Sequence, residues 1–225
     1  MKFLFFLLVL SGLNLTVFAQ TQEVDSSNTY SFVGLDLGKT IFANIWQPSS
    51  SGFTIEGIFR KGKRDPDRVG LGYVFSAGYS RFKQDSVYQN TNYTCEGYFG
   101  KAGFELSFWT DNWPLQNVFY GFGLNLVLAQ VRNYGNFKIP GDYFSDFEMP
   151  FDKNRFLSGI QFHAQVIYPL IKGLSLGFNT NLAYLINPPP KNSLNSISYY
   201  SPGMGITRNN RLGGGVGFQI FYQIN

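Results

Sequence analysis

Few residues in this chain are equipped for chemistry. There is one histidine, His163, and one cysteine, Cys95, in 225 residues. A hydrolase of the Ser–His–acid kind needs its nucleophile, base and acid within hydrogen-bond reach of one another. His163 is the one candidate base of that type. It stands in "IQFHAQV", where Phe162, Ala164 and Val166 alternate with Gln161, His163 and Gln165. Neighbours in an extended chain point to opposite sides, so the imidazole faces away from its apolar neighbours. No G-x-S-x-G elbow accompanies it. The chain has no C-x-x-C, no cluster of metal-ligand residues and no Walker loop. Its glycines are spread among apolar residues instead of gathering before a helix, so they cradle no phosphate. No catalytic, cofactor-binding or metal residue is assigned, and no cofactor is expected. Cys95 cannot close an internal disulfide by itself and suits a small apolar filler.

A second set of reactive types has a different character. Asp36, Glu56, Arg60, Lys101, Glu105 and His163 each fall on the polar face of an alternating segment. Asn125, Gln161, Gln165, Asn179, Asn181 and Gln219 repeat the pattern. Groups of both charge signs on one shared face suggest a salt-bridged and hydrogen-bonded polar network, since buried charges must be paired. A narrow proton or ion path is the functional alternative for the same residues.

Such a face needs strands to carry it. Aromatic residues make up 18% of the chain and charged residues 14%, against about 25% charged in an ordinary soluble domain. Beyond the N-terminus no segment approaches the roughly 20 apolar residues of a membrane helix. An aromatic-rich, charge-poor chain without such runs fits a transmembrane β-barrel, whose apolar residues occupy alternate positions. Eight alternating segments can be traced. They run near 32–42, 53–60, 69–80, 93–109, 120–131, 160–168, 174–184 and 212–225. The last one places Val216, Phe218, Ile220 and Tyr222 toward lipid and Gly215, Gly217 and Gln219 inward. It must pair with the first, because an open sheet edge in lipid has no water to satisfy it. The expected fold is therefore all-β, an eight-stranded antiparallel transmembrane β-barrel with periplasmic N- and C-termini. A lipocalin-like soluble barrel would reverse the faces. The glycine, amide and charge face here is poor filling for a dry core.

The N-terminus predicts export. Lys2 precedes the apolar run "FLFFLLVL", and Val17 and Ala19 occupy the small-residue cleavage positions, as in a secretory signal peptide. Residues 1–19 are assigned to it. The remainder is 206 residues (225 less 19) with charge +3 (+4 less Lys2). So small an excess on an exported chain does not point to nucleic acid. Residues 20–30 are expected to be a flexible periplasmic lead-in, and 31–225 a single barrel domain in the outer membrane.

Alternate connections are expected to be short, with two long loops, 132–155 and 188–211, at the outer end. The first of these is rich in aromatics and suits either a lid over the barrel mouth or a protein-contact surface. Tyr79, Trp109, Tyr120, Tyr168 and Tyr222 lie near predicted strand ends and suit interfacial girdles. Eight strands leave a lumen that side chains just fill, so a permanent pore is not expected.

Taken together, "YSFVGLDLGKTIF", the "EG" of the second segment and "VGLGYVFSAGYS" resemble small outer-membrane barrels of the Bacteroidota. The resemblance spans most of the chain after the signal peptide and brings no catalytic residues. It implies a non-enzymatic structural or accessory subunit of an outer-membrane complex, including the β-barrel assembly machinery, with lipid and protein as partners. A lipid-modifying enzyme is the alternative from another class.

Overall fold

The computed structural model describes residues 29–38, 50–64, 69–86, 91–110, 118–139, 147–171, 173–188, 200–208 and 211–224. The expected signal peptide and most of the expected lead-in lie outside these residues. Among the described residues ten strands occur: β1 (Thr29–Asp36), β2 (Ser50–Lys63), β3 (Gly70–Ser86), β4 (Thr91–Thr110), β5 (Val118–Ile139), β6 (Phe147–Ile171), β7 (Leu174–Leu185), β8 (Tyr200–Ser201), β9 (Gly205–Arg208) and β10 (Leu212–Gln223). β1 to β7 and β10 pair antiparallel in sequence order, and β1 pairs with β10 to close the ring. This is an eight-stranded antiparallel barrel. β8 and β9 form a small hairpin attached to β10 at its Leu212 end. No described helix is long and apolar enough to cross a membrane.

Strict alternation of side chains produces the two surfaces. β7 shows it plainly, with buried and exposed residues taking turns from Ser175 to Leu185. Outward go Leu35, Ile55, Phe75, Phe104, Leu124, Phe162, Phe178 and Ile220, all large, apolar and exposed. Inward go glycines, amides, charges and a minority of apolar residues. A soluble protein does not present so continuous an apolar wall. In lipid it is the expected arrangement.

The interior is layered, which corrects the expectation of an essentially polar lumen. At the end where β1 starts and β10 finishes, Tyr30, Phe32, Ile58, Val74, Trp109, Phe119, Ile167 and Phe221 form an apolar floor. Several of its rings meet edge to face, with Trp109 and Phe119 centroids 5.3 Å apart and Tyr30 and Phe119 5.2 Å apart. Trp109 is therefore an interior residue and not part of a girdle. Aromatic rings alone cannot distinguish the two positions, because both lie at strand ends. Tyr79, Tyr120, Tyr168 and Tyr222 do lie on the outward face. Gly62 and Gly72, paired across β2 and β3, leave the space that the Tyr30 hydroxyl occupies. At the opposite end Cys95, Phe99, Val127, Ala129, Val131, Leu157, Ala183, Leu185 and Met204 form an apolar ceiling.

Among the described residues, strand extends into the expected outer loops. β5 and β6 remain paired from Val131 opposite Arg155 to Ile139 opposite Phe147, so most of the expected 132–155 loop is strand. Alternation fails there because most of Phe147–Asn154 is exposed on both faces, and no buried side imposes a period. The result is a raised arm on one side of the ring. On its far edge β6 loses its partner where β7 stops. Ile186 N donates to Ser158 O. The Asn187 side chain then prolongs the ladder, with Oδ1 accepting from Ser158 N at 2.7 Å and Nδ2 donating to Phe156 O at 2.9 Å.

The other expected loop, 188–211, contributes a plug. Ser201, Pro202, Gly203 and Met204 are buried. Gly203 and Gly205 have φ of 75° and 86°, the left-handed region that glycine enters without cost. These glycines turn Met204 down into the ceiling. Thr29 and Tyr30, assigned to the lead-in from sequence, belong to β1.

Candidate functional site

The polar residues singled out from sequence lie in one layer between floor and ceiling. Asp36, Glu56, Arg60, Lys101, Glu105 and His163 are all buried inside the ring, as are Asn125, Gln161, Gln165, Asn179, Asn181 and Gln219. The structure brings them together in two halves. β2 and β4 carry the ion pairs, with β3 between them. Lys101 Nζ lies 2.9 Å from Glu56 Oε1, and Ser76 Oγ donates to that oxygen at 2.6 Å. Arg60 pairs with Glu105. Tyr30 reaches up from the floor to donate to Glu105 Oε1 at 3.1 Å. The remaining half is made of amides on β5, β6, β7 and β10. Asp36 sits at the seam between the halves and accepts from Gln219 Nε2 at 2.9 Å and from Gly38 N at 3.1 Å.

Buried ion pairs of this sort owe their stability to geometry and extra hydrogen bonds, since desolvation offsets most of the Coulomb gain. Two flanking rings add to it. Lys101 Nζ lies 5.2 Å from the centroid of Phe99, and the Arg60 guanidinium carbon 5.7 Å from that of Phe221. Each cation thus lies between its carboxylate and one of the apolar layers.

His163 stands where the two halves meet. Its Nδ1 is 3.1 Å from Asn125 Nδ2, and its Nε2 is 3.6 Å from Glu105 Oε2. The amide as placed donates to Nδ1, which puts the proton on Nε2, toward Glu105. With 3% of its surface exposed, His163 is out of reach of an acyl ester in the surrounding lipid. Among the described residues no three His, Cys, Asp or Glu side chains gather as metal ligands. The closing-strand residues face the other way. Phe218, Ile220 and Tyr222 are exposed on the wall, and Val216 is half-buried on the same side.

Sequence reasoning did not single out one polar cluster, on the outer face of the wall above the apolar belt. Arg132 grips Asp152 with two hydrogen bonds, Nε to Oδ1 at 3.0 Å and Nη2 to Oδ2 at 2.6 Å. Arg132 also covers the Tyr134 ring at 4.9 Å, and Arg81 Nη2 donates to the Tyr134 hydroxyl at 3.3 Å. Hydrogen bonding from Arg132 holds the Asp152 carboxyl below its ordinary range, and the same contact raises Arg132. The spacing of Arg132 and Asp152 would have revealed the pair only if the hairpin register had been known.

The family described as a domain of unknown function, DUF6048, matches residues 1–225. The chain belongs to that family. No curated protein matches the DUF6048 chain. Among solved structures, the crystal structure of Neisserial surface protein A is similar at 13% identity, covering 88% of this chain and 98% of that one, with a TM-score of 0.39. At that identity and score the similarity assigns no property to the DUF6048 barrel.

Proposed function

We propose that this protein spans the bacterial outer membrane as a non-enzymatic accessory subunit, with its outer wall and raised arm meeting a protein partner. The observation that carries the reading is the contrast between inside and outside. The interior is shut by an apolar layer at each end, while the apolar wall and the β5–β6 arm are exposed. Binding groups are therefore on the outside. Short connections at one end, such as the one between Ile171 and Leu174, suit the periplasmic rim. The arm then projects outward, and both terminal strands have their free ends in the periplasm. The signal-peptide features at residues 1–19 fit this route of export. A role in outer-membrane protein assembly is the specific form that the sequence resemblance favours.

A photo-crosslinking amino acid at exposed Glu148 on the arm tests the proposal in intact cells. One discrete adduct with an outer-membrane protein is expected, together with co-purification of that protein in gentle detergent. A monomer without adducts, from the arm and from wall positions such as Leu124, would sink it. Two further measurements separate the alternatives. His163→Ala should leave partner capture unchanged, and planar bilayers should show no conductance above background.

A further inference from the structure

Eleven buried side-chain atoms lack a hydrogen-bond partner among the described residues: Arg60 Nε, Ser80 Oγ, Trp109 Nε1 and Asn133 Oδ1, and seven in one layer, Asn125 Oδ1, His163 Nε2, Gln165 Nε2 and Oε1, Asn179 Oδ1, Asn181 Oδ1 and Gln219 Oε1. These seven lie on β5, β6, β7 and β10, the half of the interior without the ion pairs. Register sets them in rows. His163 is opposite Asn181 and Gln165 opposite Asn179. Asn181 in turn faces Gly215, and Asn179 faces Gly217. A buried polar group without a partner is costly, and seven in one layer need an explanation.

Room exists beside Asn181. A Cβ on Gly215 would meet nothing nearer than Asn181 Nδ2 at 3.7 Å. The groups are uncharged and mostly acceptor oxygens, so they call for a small neutral donor. The two closures of this layer also differ in kind. The floor is built from strand residues locked into the ring. The ceiling adds to its strand residues Met204 of the Pro202–Met204 turn, which bonds to the wall through Gln161 Nε2 to Gly203 O at 3.2 Å and holds Met204 between two positive-φ glycines.

We propose that this half of the lumen is a water-binding chamber, and that the Pro202–Met204 turn is the door through which its water exchanges with the outer side. Ordered waters supply the donors that the amide oxygens need and accept from Gln165 Nε2 and His163 Nε2, as buried waters with several polar partners do. Water beside the ion-pair half also eases the desolvation of Lys101, Glu56, Arg60 and Glu105. The chamber opens to one side only, so it stores water without conducting across the membrane.

The test uses the isotopically labelled barrel in lipid nanodiscs. Water-selected NOE spectra should show the side-chain amides of Gln165, Asn179 and Asn181 in contact with long-lived water. After transfer to D2O, Met204→Ala should speed exchange of those amides at least tenfold. The backbone amides of Phe119 and Ile167 in the floor should keep their wild-type rates. Gln161→Leu, which removes only the side-chain bond to the turn, should act in the same direction and decides the matter if Met204→Ala does not fold. Amides that contact one another and not water would overturn the chamber. Water contact with unchanged exchange in the folded variants would overturn the door.

Discussion

Lys101 Nζ on β4 lies 2.9 Å from Glu56 Oε1 on β2, reaching across the full width of β3. The Ser76 hydroxyl of the intervening strand donates to the same oxygen. Three neighbouring strands are thus tied through one carboxylate inside the ring. Removing only the cation leaves a buried negative charge in place. Lys101→Met is predicted to destabilise the barrel by about 3–5 kcal/mol, whereas Lys101→Met with Glu56→Leu should recover most of the loss. Urea unfolding in lipid vesicles measures both. Equal instability of the single and double variants would refute the coupling.

Two glycines two residues apart on β10 are expected to behave differently. A Cβ at Gly217 would lie 2.5 Å from both Asn179 Oδ1 and Asp36 Oδ2. A Cβ at Gly215 meets only ordinary contacts. Gly217→Ala should cost about 1–3 kcal/mol through forced movement of the amide and the carboxylate. Gly215→Ala should be neutral or stabilising by up to about 1 kcal/mol, because it restricts the unfolded chain. Thermal unfolding of the two variants side by side decides the matter, and a larger loss at Gly215 would contradict the geometry.

Asn187 does for the edge of β6 what a further residue of β7 would have done. Asn187→Ala should cost roughly 0.5–1.5 kcal/mol for its lost hydrogen bonds. The effect should be local. Amide hydrogen exchange should quicken at Ser158 and leave β3 and β4 unchanged. A uniform rise around the ring would show that the side chain acts on global stability instead.

The Arg132–Asp152 grip gives the arm a pH dependence of definite sign. The Asp152 carboxyl is held below its unfolded value by the Arg132 hydrogen bonds. Its contribution is therefore present above the unfolded pKa, near 3.9, and fades as pH falls through the depressed folded value. Protection of the 147–155 segment against hydrogen exchange should be constant near neutrality and drop below about pH 4. Asp152→Asn should abolish that drop. Persistence of the drop in the variant would assign it to another group.

Much of this was legible in the chain because lipid imposes a simple rule. Leu124, Leu126 and Leu128 must alternate with Asn125, Val127 and Ala129 if one face meets acyl chains, and the alternation alone fixes which polar groups turn inward. Partners are a different matter. Lys101 and Glu56 belong together only once β3 has set the offset between β2 and β4, and no local pattern records that offset. Phe32, Phe119 and Phe221 were missed as floor residues because a few rings at the ends of a polar face resemble interfacial aromatics. The arm was missed because residues bathed on both sides carry no period. Met204 looks like an ordinary loop residue until the two positive-φ glycines aim it.

The seam that closes the ring joins Phe32–Asp36 to Gln219–Gln223, a far shorter ladder than the one between β5 and β6. Its two strands are antiparallel, and their outer ends, Thr29 and Gln223, lie at one rim. Tension applied to those ends would load the ladder as a zipper is loaded, breaking bonds singly and never sharing the force among them. Held by its ends in a force spectrometer, this barrel should open at the seam at low force, while the same molecule gripped through β5 and β6 should resist.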